Sequence, residues 1–363
     1  MIYCKEVTSG HNRKAFYEVP ARLYAGTPNW RNTEEEIVHM LVEKKSCFFL
    51  HASIHSFLLM DQGQVVGRFS LIHDEKLPEY VQIAFFEATF GLTGVQEAVF
   101  DRARIMYPSC TKVVAGLCGH LNYAAGFLDS AFDEPPLFGL PYTPPWYPDY
   151  FPSLTKKPLV SYRFSNQLFY DLLESGHLDV PLGSITIRKM SRRHLKRDVA
   201  IYTELNNTCF SDHPYWSDRT AEEDLELFLP FRFLLKEENL LIAEDQGRPV
   251  GFLLWYPDFN ELVSGSSALG IREVLHYHVA NPIRSSRLTE IAVIPEYRRK
   301  GIVQAMIKEM TGHMQRGGFE YTEGGFIFEE NQASIGFTLM MLRKAFGVDL
   351  QPHRKYTVLD GEL

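Results

Sequence analysis

Residues 288–303 read L-T-E-I-A-V-I-P-E-Y-R-R-K-G-I-V, and the fold follows from how this stretch changes character. It opens as a short apolar run with β-branched residues, the composition of a buried strand. Pro295 stops the strand, because proline has no N–H for a ladder and disfavours a helical residue before it. A tight basic turn follows, Arg298-Arg299-Lys300-Gly301, and an amphipathic helix opens behind it. Ile302, Met306, Ile307, Met310 and Met314 recur there at helical spacing, and Gly317-Gly318 closes the helix. Strand, turn and helix in this order make an anion site. The first N–H groups of the helix have no partner inside it and lie at the positive end of its dipole. Gly301 admits a phosphate close to the backbone, and the three cationic side chains add full charge.

V-I-P-E-Y-R-R-K-G-I-V resembles the acyl-CoA-binding motif of the GCN5-related N-acetyltransferases (GNAT), V-x-P-x-x-R/Q-x-x-G-x-G/A. Val293, Pro295, Arg298 and Gly301 match it. Val303 replaces the final small residue, and its branched side chain narrows the space beside the phosphate. An ordinary strand–turn–helix with a basic turn is the structural alternative. The resemblance implies acetyl-CoA or another acyl-CoA as co-substrate, with no metal. It also implies coenzyme contacts from Ile291, Ala292, Val293, Arg298, Arg299, Lys300, Gly301, Ile302 and Val303. Residues 321–328 read as a further strand ending at Glu329-Glu330-Asn331. By the resemblance Asn331 stands near the pantetheine arm; equally, an asparagine after a strand is a helix N-cap. Many relatives carry a tyrosine late in the next helix that protonates the leaving thiolate, whereas Met341, Leu342 and Arg343 stand here. Another tyrosine or water must then supply that proton.

The implied chemistry is direct acyl transfer from a thioester to an amine. The amine must shed a proton to attack, which a carboxylate within reach assists. Glu290 is the candidate base; its structural alternative is a half-exposed strand residue paired with Arg287. Backbone N–H groups of Ala292 or Val293 are candidates to hold the thioester carbonyl oxygen.

The chain repeats itself. D-Q-G-Q-V-V-G at 61–67 returns as D-Q-G-R-P-V-G at 245–251, an offset of 245 − 61 = 184 in a chain of 363 residues. Each copy lies between apolar strands and upstream of a further strand and helix, which predicts two domains of one fold. The expected architecture is α/β: two tandem GNAT-like domains, each a mixed twisted sheet flanked by helices. Residues 1–164 form a degenerate domain closed by a strand at 159–164, residues 165–183 a linker, and residues 184–363 the domain with the acyl-CoA site. In the first copy the turn after the strand is Phe90-Gly91-Leu92-Thr93-Gly94, without arginine or lysine, so it does not hold a pyrophosphate in the same way.

Residues 135–152 hold seven prolines and six aromatics. A proline-rich linker is one reading; the aromatic surface instead predicts a stiff loop packed over the domain junction. This region is similar to a bacterial subfamily of tandem acetyltransferase-like proteins of unsettled function. The subfamily carries G-P-x-N-F-S, G-F-D-x-P-P and P/T-Y-N-P-P-Y-Y. Gly119, Asn122, Phe132-Asp133, Pro135-Pro136, Tyr142, Pro144-Pro145 and Tyr147 correspond, as do Leu23-Tyr24 and Pro28-Asn29-Trp30 near the start. Tyr256-Pro257-Asp258-Phe259-Asn260 matches its P-D-x-N. By this resemblance Asn122, Tyr142, Asp258 and Asn260 are candidate substrate-binding residues. The thirty or so residues before the coenzyme strand read as a partly helical cover over the substrate site.

Composition bounds the rest. A net charge of −8 argues against a nucleic-acid binder and suits a cationic small-molecule amine. No apolar run reaches the ~20 residues of a membrane helix, and Cys4, Lys5, Glu6 and His11 interrupt any leader-like start. Five scattered cysteines without C-x-x-C read as reduced thiols, so a cytoplasmic monomer or homodimer is expected, without nucleic-acid or membrane partner. His51 and His55 lack the glutamate of a zinc helix, so no metal is expected. Two functional classes stand: an N-acyltransferase on a small amine or amino-acid-like acceptor, or a non-catalytic ligand-binding or regulatory protein on the same fold. Transfer of aminoacyl groups from tRNA is a variant that the acidic charge and the coenzyme turn count against.

Overall fold

A computed structural model describes the chain except residues 33–34, 266, 268, 333–334, 337–338, 341–342 and 344–346. It divides into two compact units, built mainly from Met1–Leu159 with Arg354–Leu363, and from Val160–Val263 with Leu269–His353.

In the first unit, strands β1 (Tyr3–Glu6), β2 (Ala52–Asp61), β3 (Gln64–Asp74) and β4 (Tyr80–Ala88) lie side by side and antiparallel. Strand β5 (Lys112–Ala115) joins β4 in parallel, and the C-terminal strand β13 (Arg354–Glu362) pairs antiparallel with β5 and with the short β6 (Phe127–Leu128). Helices α1 (Gly10–Leu23), α2 (Glu35–Val42) and α3 (Val95–Met106) complete the unit. Val95, Val99, Phe100 and Ala103 of α3 pack onto Phe57, Leu59, Phe69, Leu71, Val81 and Ile83 of the sheet, an apolar stripe at helical spacing meeting one pleated face.

The second unit repeats this plan. Strands β8 (Ile185–Lys189), β9 (Leu240–Asp245), β10 (Arg248–Pro257) and β11 (Ser285–Val293) are antiparallel neighbours, and β12 (Tyr321–Phe328) joins β11 in parallel. The sixth strand is β7 (Thr155–Ser165), whose residues from Val160 on fall in this unit and neighbour β12. Its helices are α4 (Gln167–Glu174), α5 (Leu195–Phe210), α6 (Ala221–Phe228), α7 (Ile271–Ala280) and α8 (Ile302–Gly317). Helix α6 opens on a capping box: the Thr220 hydroxyl accepts from Glu223 N–H while the Glu223 carboxylate accepts from Thr220 N–H.

The internal repeat is a structural one. Both hairpins turn on two residues of positive φ, Gln62-Gly63 and Gln246-Gly247, the geometry that matches strand twist. Both carry a register shift next to the motif valine, Val66 or Val250. A Cβ on Gly67 would stand 2.4 Å from the Glu87 carbonyl oxygen and one on Gly251 2.8 Å from that of Ala292, so the last residue of D-Q-G-x-x-V-G has to be glycine.

Two expectations differ from the structure. The segment at 159–164 was expected to close the first unit; from Val160 on it belongs to the second, and the strand closing the first is Arg354–Glu362, at the far end of the chain. The alternating run from Phe48 to Met60 reads as one strand by its sequence, but it begins as a 3-10 turn at Cys47–Leu50, capped by the Ser46 hydroxyl, and becomes a strand at Ala52. The proline-aromatic loop is core material of the first unit: Tyr147, Tyr150 and Phe151 are buried among Phe86, Phe100 and Phe127. Among the described residues, no helix is long and apolar enough to cross a membrane.

Candidate active site

The site is built where β11 leaves its parallel neighbour. The two strands pair from Ser285↔Tyr321 to Leu288↔Gly324. On its other side β11 stays with β10, but the register slips between Glu290 and Leu288, leaving Thr289 as the extra residue of a bulge. Bulges re-aim the side chains that follow them, and Glu290 is the next residue. Ile294 N–H donates to Val250 O. Backbone groups alternate along a strand, so Ala292 N–H also faces β10, while those of Ile291 and Val293 point to the edge that β12 has left. Of the two candidates for the thioester oxygen, geometry selects Val293.

Glu290 is half-buried and held from α5. Its Oε2 accepts from the Tyr202 hydroxyl at 2.6 Å and from Asn206 Nδ2 at 2.7 Å. Tyr202 and Asn206 are four residues apart, one turn of one helix face. Burial first, then the Glu290 charge, raises the Tyr202 phenol well above its ordinary value, so it stays a donor. Behind them Arg219 and Asp224, both buried, form an ion pair at 2.8 Å, and the Thr203 hydroxyl donates to Asp224 at 2.7 Å. Burial pushes the Asp224 carboxyl up to about 6 despite Arg219.

Asn331, just past β12, brings its Nδ2 to 3.3 Å from His213 Nε2. Burial holds the His213 imidazole below its ordinary value, the Glu290 charge opposing, so it is neutral near pH 7. An amide nitrogen facing Nε2 makes that nitrogen the acceptor and puts the ring proton on Nδ1. Met341 and Leu342, where the late tyrosine was sought, lie outside the described residues.

The basic turn has the strand–turn–helix form read from the sequence. Gly301 is the N-cap of α8 at φ 78°, with no side chain capping the helix, so its first N–H groups remain for a ligand. Arg298, Arg299 and Lys300 are exposed and in no ion pair among the described residues. Arg298 Nε donates to Val293 O at 3.2 Å and ties the turn to the strand. Lys300 lies 4.1 Å over the ring of Tyr297, whose hydroxyl donates to Asp245 at 2.7 Å. Ile302 is buried and Val303 half-buried. The segment before β8 runs along this helix: Gln304 bonds His177 O at 2.8 Å, Lys308 pairs with Asp179 at 2.5 Å, and Val180 packs against Gly301. A glycine in the left-handed region, bare helix N–H groups and unpaired cations fit a pyrophosphate.

The other candidates have partners of their own. Asp258 accepts from Asn260 N–H at 3.1 Å, and its own N–H donates to Ser285 O at 2.9 Å, so both residues stand at the far end of β11. Five residues of strand separate Ser285 from Glu290, about 16 Å. Asn122 and Tyr142 belong to the first unit: Asn122 N–H donates to His120 Nδ1 at 3.1 Å, and the Tyr142 hydroxyl donates to Phe132 O at 2.8 Å. His51 and His55 meet Asp74 and Glu6, at 2.9 and 3.0 Å.

The equivalent edge in the first unit is filled by the chain itself. Register pairs Leu71↔Ile83 and Trp255↔Leu288 set the correspondence at 288 − 83 = 205, so Ala88 matches Val293 and Phe85 matches Glu290. Trp146 Nε1 donates to Ala88 O at 3.3 Å, Tyr150 donates to Thr89 O, and Leu92 N–H donates to Tyr150 at 3.3 Å. Gly94 caps α3 at φ 77° as Gly301 caps α8, but without cations before it.

Comparison with known proteins agrees with this geometry. A model of the acetyltransferase (GNAT) family matches residues 199–340, which include the α5 donors, Glu290, the turn and Asn331. "Protein YghO" of Escherichia coli (strain K12) is 21% identical over 374 aligned positions, 96% of this chain and 93% of that one. "Bacterial ceramide synthase" of Caulobacter vibrioides is 23% identical over 352 positions, 88% of each chain. Among solved structures, a "Tandem GNAT protein from the clavulanic acid biosynthesis pathway" shares the fold over 100% of this chain and 98% of its own, with a TM-score of 0.58 at 11% identity. Residues 199–340 are thus similar to the acetyltransferase (GNAT) family, and the whole chain shares the fold of a tandem GNAT protein.

Proposed function

We propose that the protein is an acyl-CoA-dependent N-acyltransferase that works in its second unit, on an amine acceptor, by direct transfer. The observation that carries this reading is the position of Glu290: a carboxylate oriented by Tyr202 and Asn206, beside an open strand edge that leads to the cationic turn. Acyl-CoA supplies the activated acyl group. Val293 N–H faces the place where its carbonyl oxygen gathers charge, and the Gly301 turn takes the pyrophosphate. The amine nitrogen bonds to the acyl carbon, the carbon–sulfur bond breaks, and the proton lost by nitrogen passes to Glu290 directly or through one water. Neutral His213, held by Asn331, is placed to carry a proton at the same edge.

Acetyl-CoA with a small amine is the simpler substrate pair. A second reading, a long acyl chain and a lipid-like amine, is favoured by the relative named bacterial ceramide synthase, aligned over 88% of both chains. Thermal melts with free CoA, acetyl-CoA, hexanoyl-CoA and palmitoyl-CoA decide between them. A ligand at 100 times its dissociation constant adds about 2.7 kcal/mol. The largest shift with acetyl-CoA supports the first reading, the largest with palmitoyl-CoA the second, and no shift with any of them overturns both.

A further inference from the structure

The first unit keeps an open cavity although its strand edge is filled. Strands β4 and β5 pair only from Tyr80↔Lys112 to Ile83↔Ala115. Past that point a small cleft open to solvent is lined by Trp30, Arg31, Arg68, Phe86, Glu87 and Tyr142 among others. At its inner end stands Glu87, with 12% of its side chain exposed. Its two oxygens are treated unequally. Oε2 accepts from Tyr24 at 2.8 Å and Tyr147 at 2.5 Å. Oε1 receives no hydrogen bond among the described residues; the nearest cation, the buried Arg68 guanidinium, lies 3.9 Å away, out of hydrogen-bond reach.

We propose that this cavity is a second binding site, for a small molecule presenting a primary ammonium group on an apolar body, with the ammonium on Glu87 Oε1. A carboxylate oxygen only accepts, so its complement is a donor. Oε1 opens to the cleft, where a ligand N–H can take the place of solvent. Trp30, Phe85, Phe86 and Phe127 supply ring faces around it, favourable to an apolar body and to a cation. Arg68 offsets the Glu87 charge within the protein, and Glu35 on α2 adds a second carboxylate to the lining. The site is not a second coenzyme site, because Trp146 and Tyr150 occupy the strand edge and turn that a coenzyme would need. Burial raises the Glu87 carboxyl, with Arg68 and the two phenols opposing, so an arriving ammonium draws it toward the ionised form.

The test is calorimetric titration of the full chain carrying Glu290→Gln, so that the carboxylate of the second unit does not contribute. The probes are n-hexylamine, norleucine and hexan-1-ol at pH 7.5. Hexylamine is expected to bind at least tenfold more tightly than hexanol. Norleucine binding as tightly as hexylamine assigns an amino acid, with Arg31 facing its carboxylate; weaker binding assigns a simple amine. Glu87→Gln preserves shape and both phenol contacts and is expected to lose hexylamine binding at least tenfold while melting cooperatively. Ala125→Leu, which fills the cavity and spares Glu87, is expected to do the same should the glutamine variant not fold. Equal binding of hexanol and hexylamine, undiminished hexylamine binding in both variants, or no binding of any probe overturns the proposal.

Discussion

At Glu290 two neutral donors fall on one carboxylate oxygen, and the geometry of the proton acceptor depends on both. Tyr202→Phe removes one donor and leaves the ring packed on Phe228 and Phe252. Its expected effect is a fall in kcat of about tenfold or more, from the ~1.5–3 kcal/mol of one hydrogen bond to a charged group, with acyl-CoA affinity unchanged. Steady-state kinetics beside a coenzyme titration separates the two; a change in affinity alone contradicts the assignment. Asp224 makes a prediction about pH. Its carboxyl titrates near 6 in the folded protein and near 3.8 when unfolded, so between those values the native state binds more protons. Stability attributable to this group is full below about 4 and falls as pH rises toward 6, by a total on the order of 3 kcal/mol. Denaturant melts of Asp224→Asn against the parent chain should show that slope only in the parent. Neither Tyr202 nor Asp224 was identifiable beforehand, because their roles come from contacts across 88 and 21 residues of chain. The only local signal is the four-residue spacing of Tyr202 and Asn206, one helical turn.

The form of the basic turn was legible because each of its parts is a local rule. Proline ends a strand, glycine reaches φ 78°, and an apolar stripe starts a helix. The same locality made the hairpins legible twice. Strand β13 was not, because nothing near Arg354–Glu362 says that its partner is Lys112–Ala115, roughly 240 residues back along the chain. Two substitutions test the turn as an element. Gly301→Ala forces a side chain into the left-handed region and against Val180, where a Cβ would meet the nearest atom at 3.1 Å. It should cost about 1–2 kcal/mol of stability and weaken acyl-CoA binding. Arg298→Ala together with Arg299→Ala removes two exposed charges and the Arg298 bond to Val293 O, so stability without ligand should fall by no more than about 1 kcal/mol while coenzyme affinity falls at least tenfold. Unchanged affinity in the double variant would place the pyrophosphate elsewhere.

Across the whole molecule, two units with one strand order have taken different parts. The second kept an open strand edge and a cationic turn; the first filled its edge with Trp146 and Tyr150 and kept a cavity around Glu87. The sixth strand of the first unit comes from the chain's last residues, with Tyr356, Val358 and Leu359 buried. Ending the chain after His353 therefore removes a strand and bares the edge of β5. Such a chain should lose cooperative unfolding of the first unit, read by calorimetry and by hydrogen exchange at residues 112–115. A melt identical to the parent would contradict the assignment of that strand.

The most direct test of the whole account is to measure N-acylated product by mass spectrometry from the acyl-CoA that gives the largest melt shift and a panel of primary amines. The parent chain and Glu290→Gln are compared. The account predicts amine-dependent product from the parent, a loss of about 10²–10⁴-fold in Glu290→Gln, and the same acyl-CoA melt shift in both. Product formed equally by the two proteins would remove Glu290 from the chemistry, and acyl-CoA binding with no product from any amine would leave a binding protein on a transferase fold.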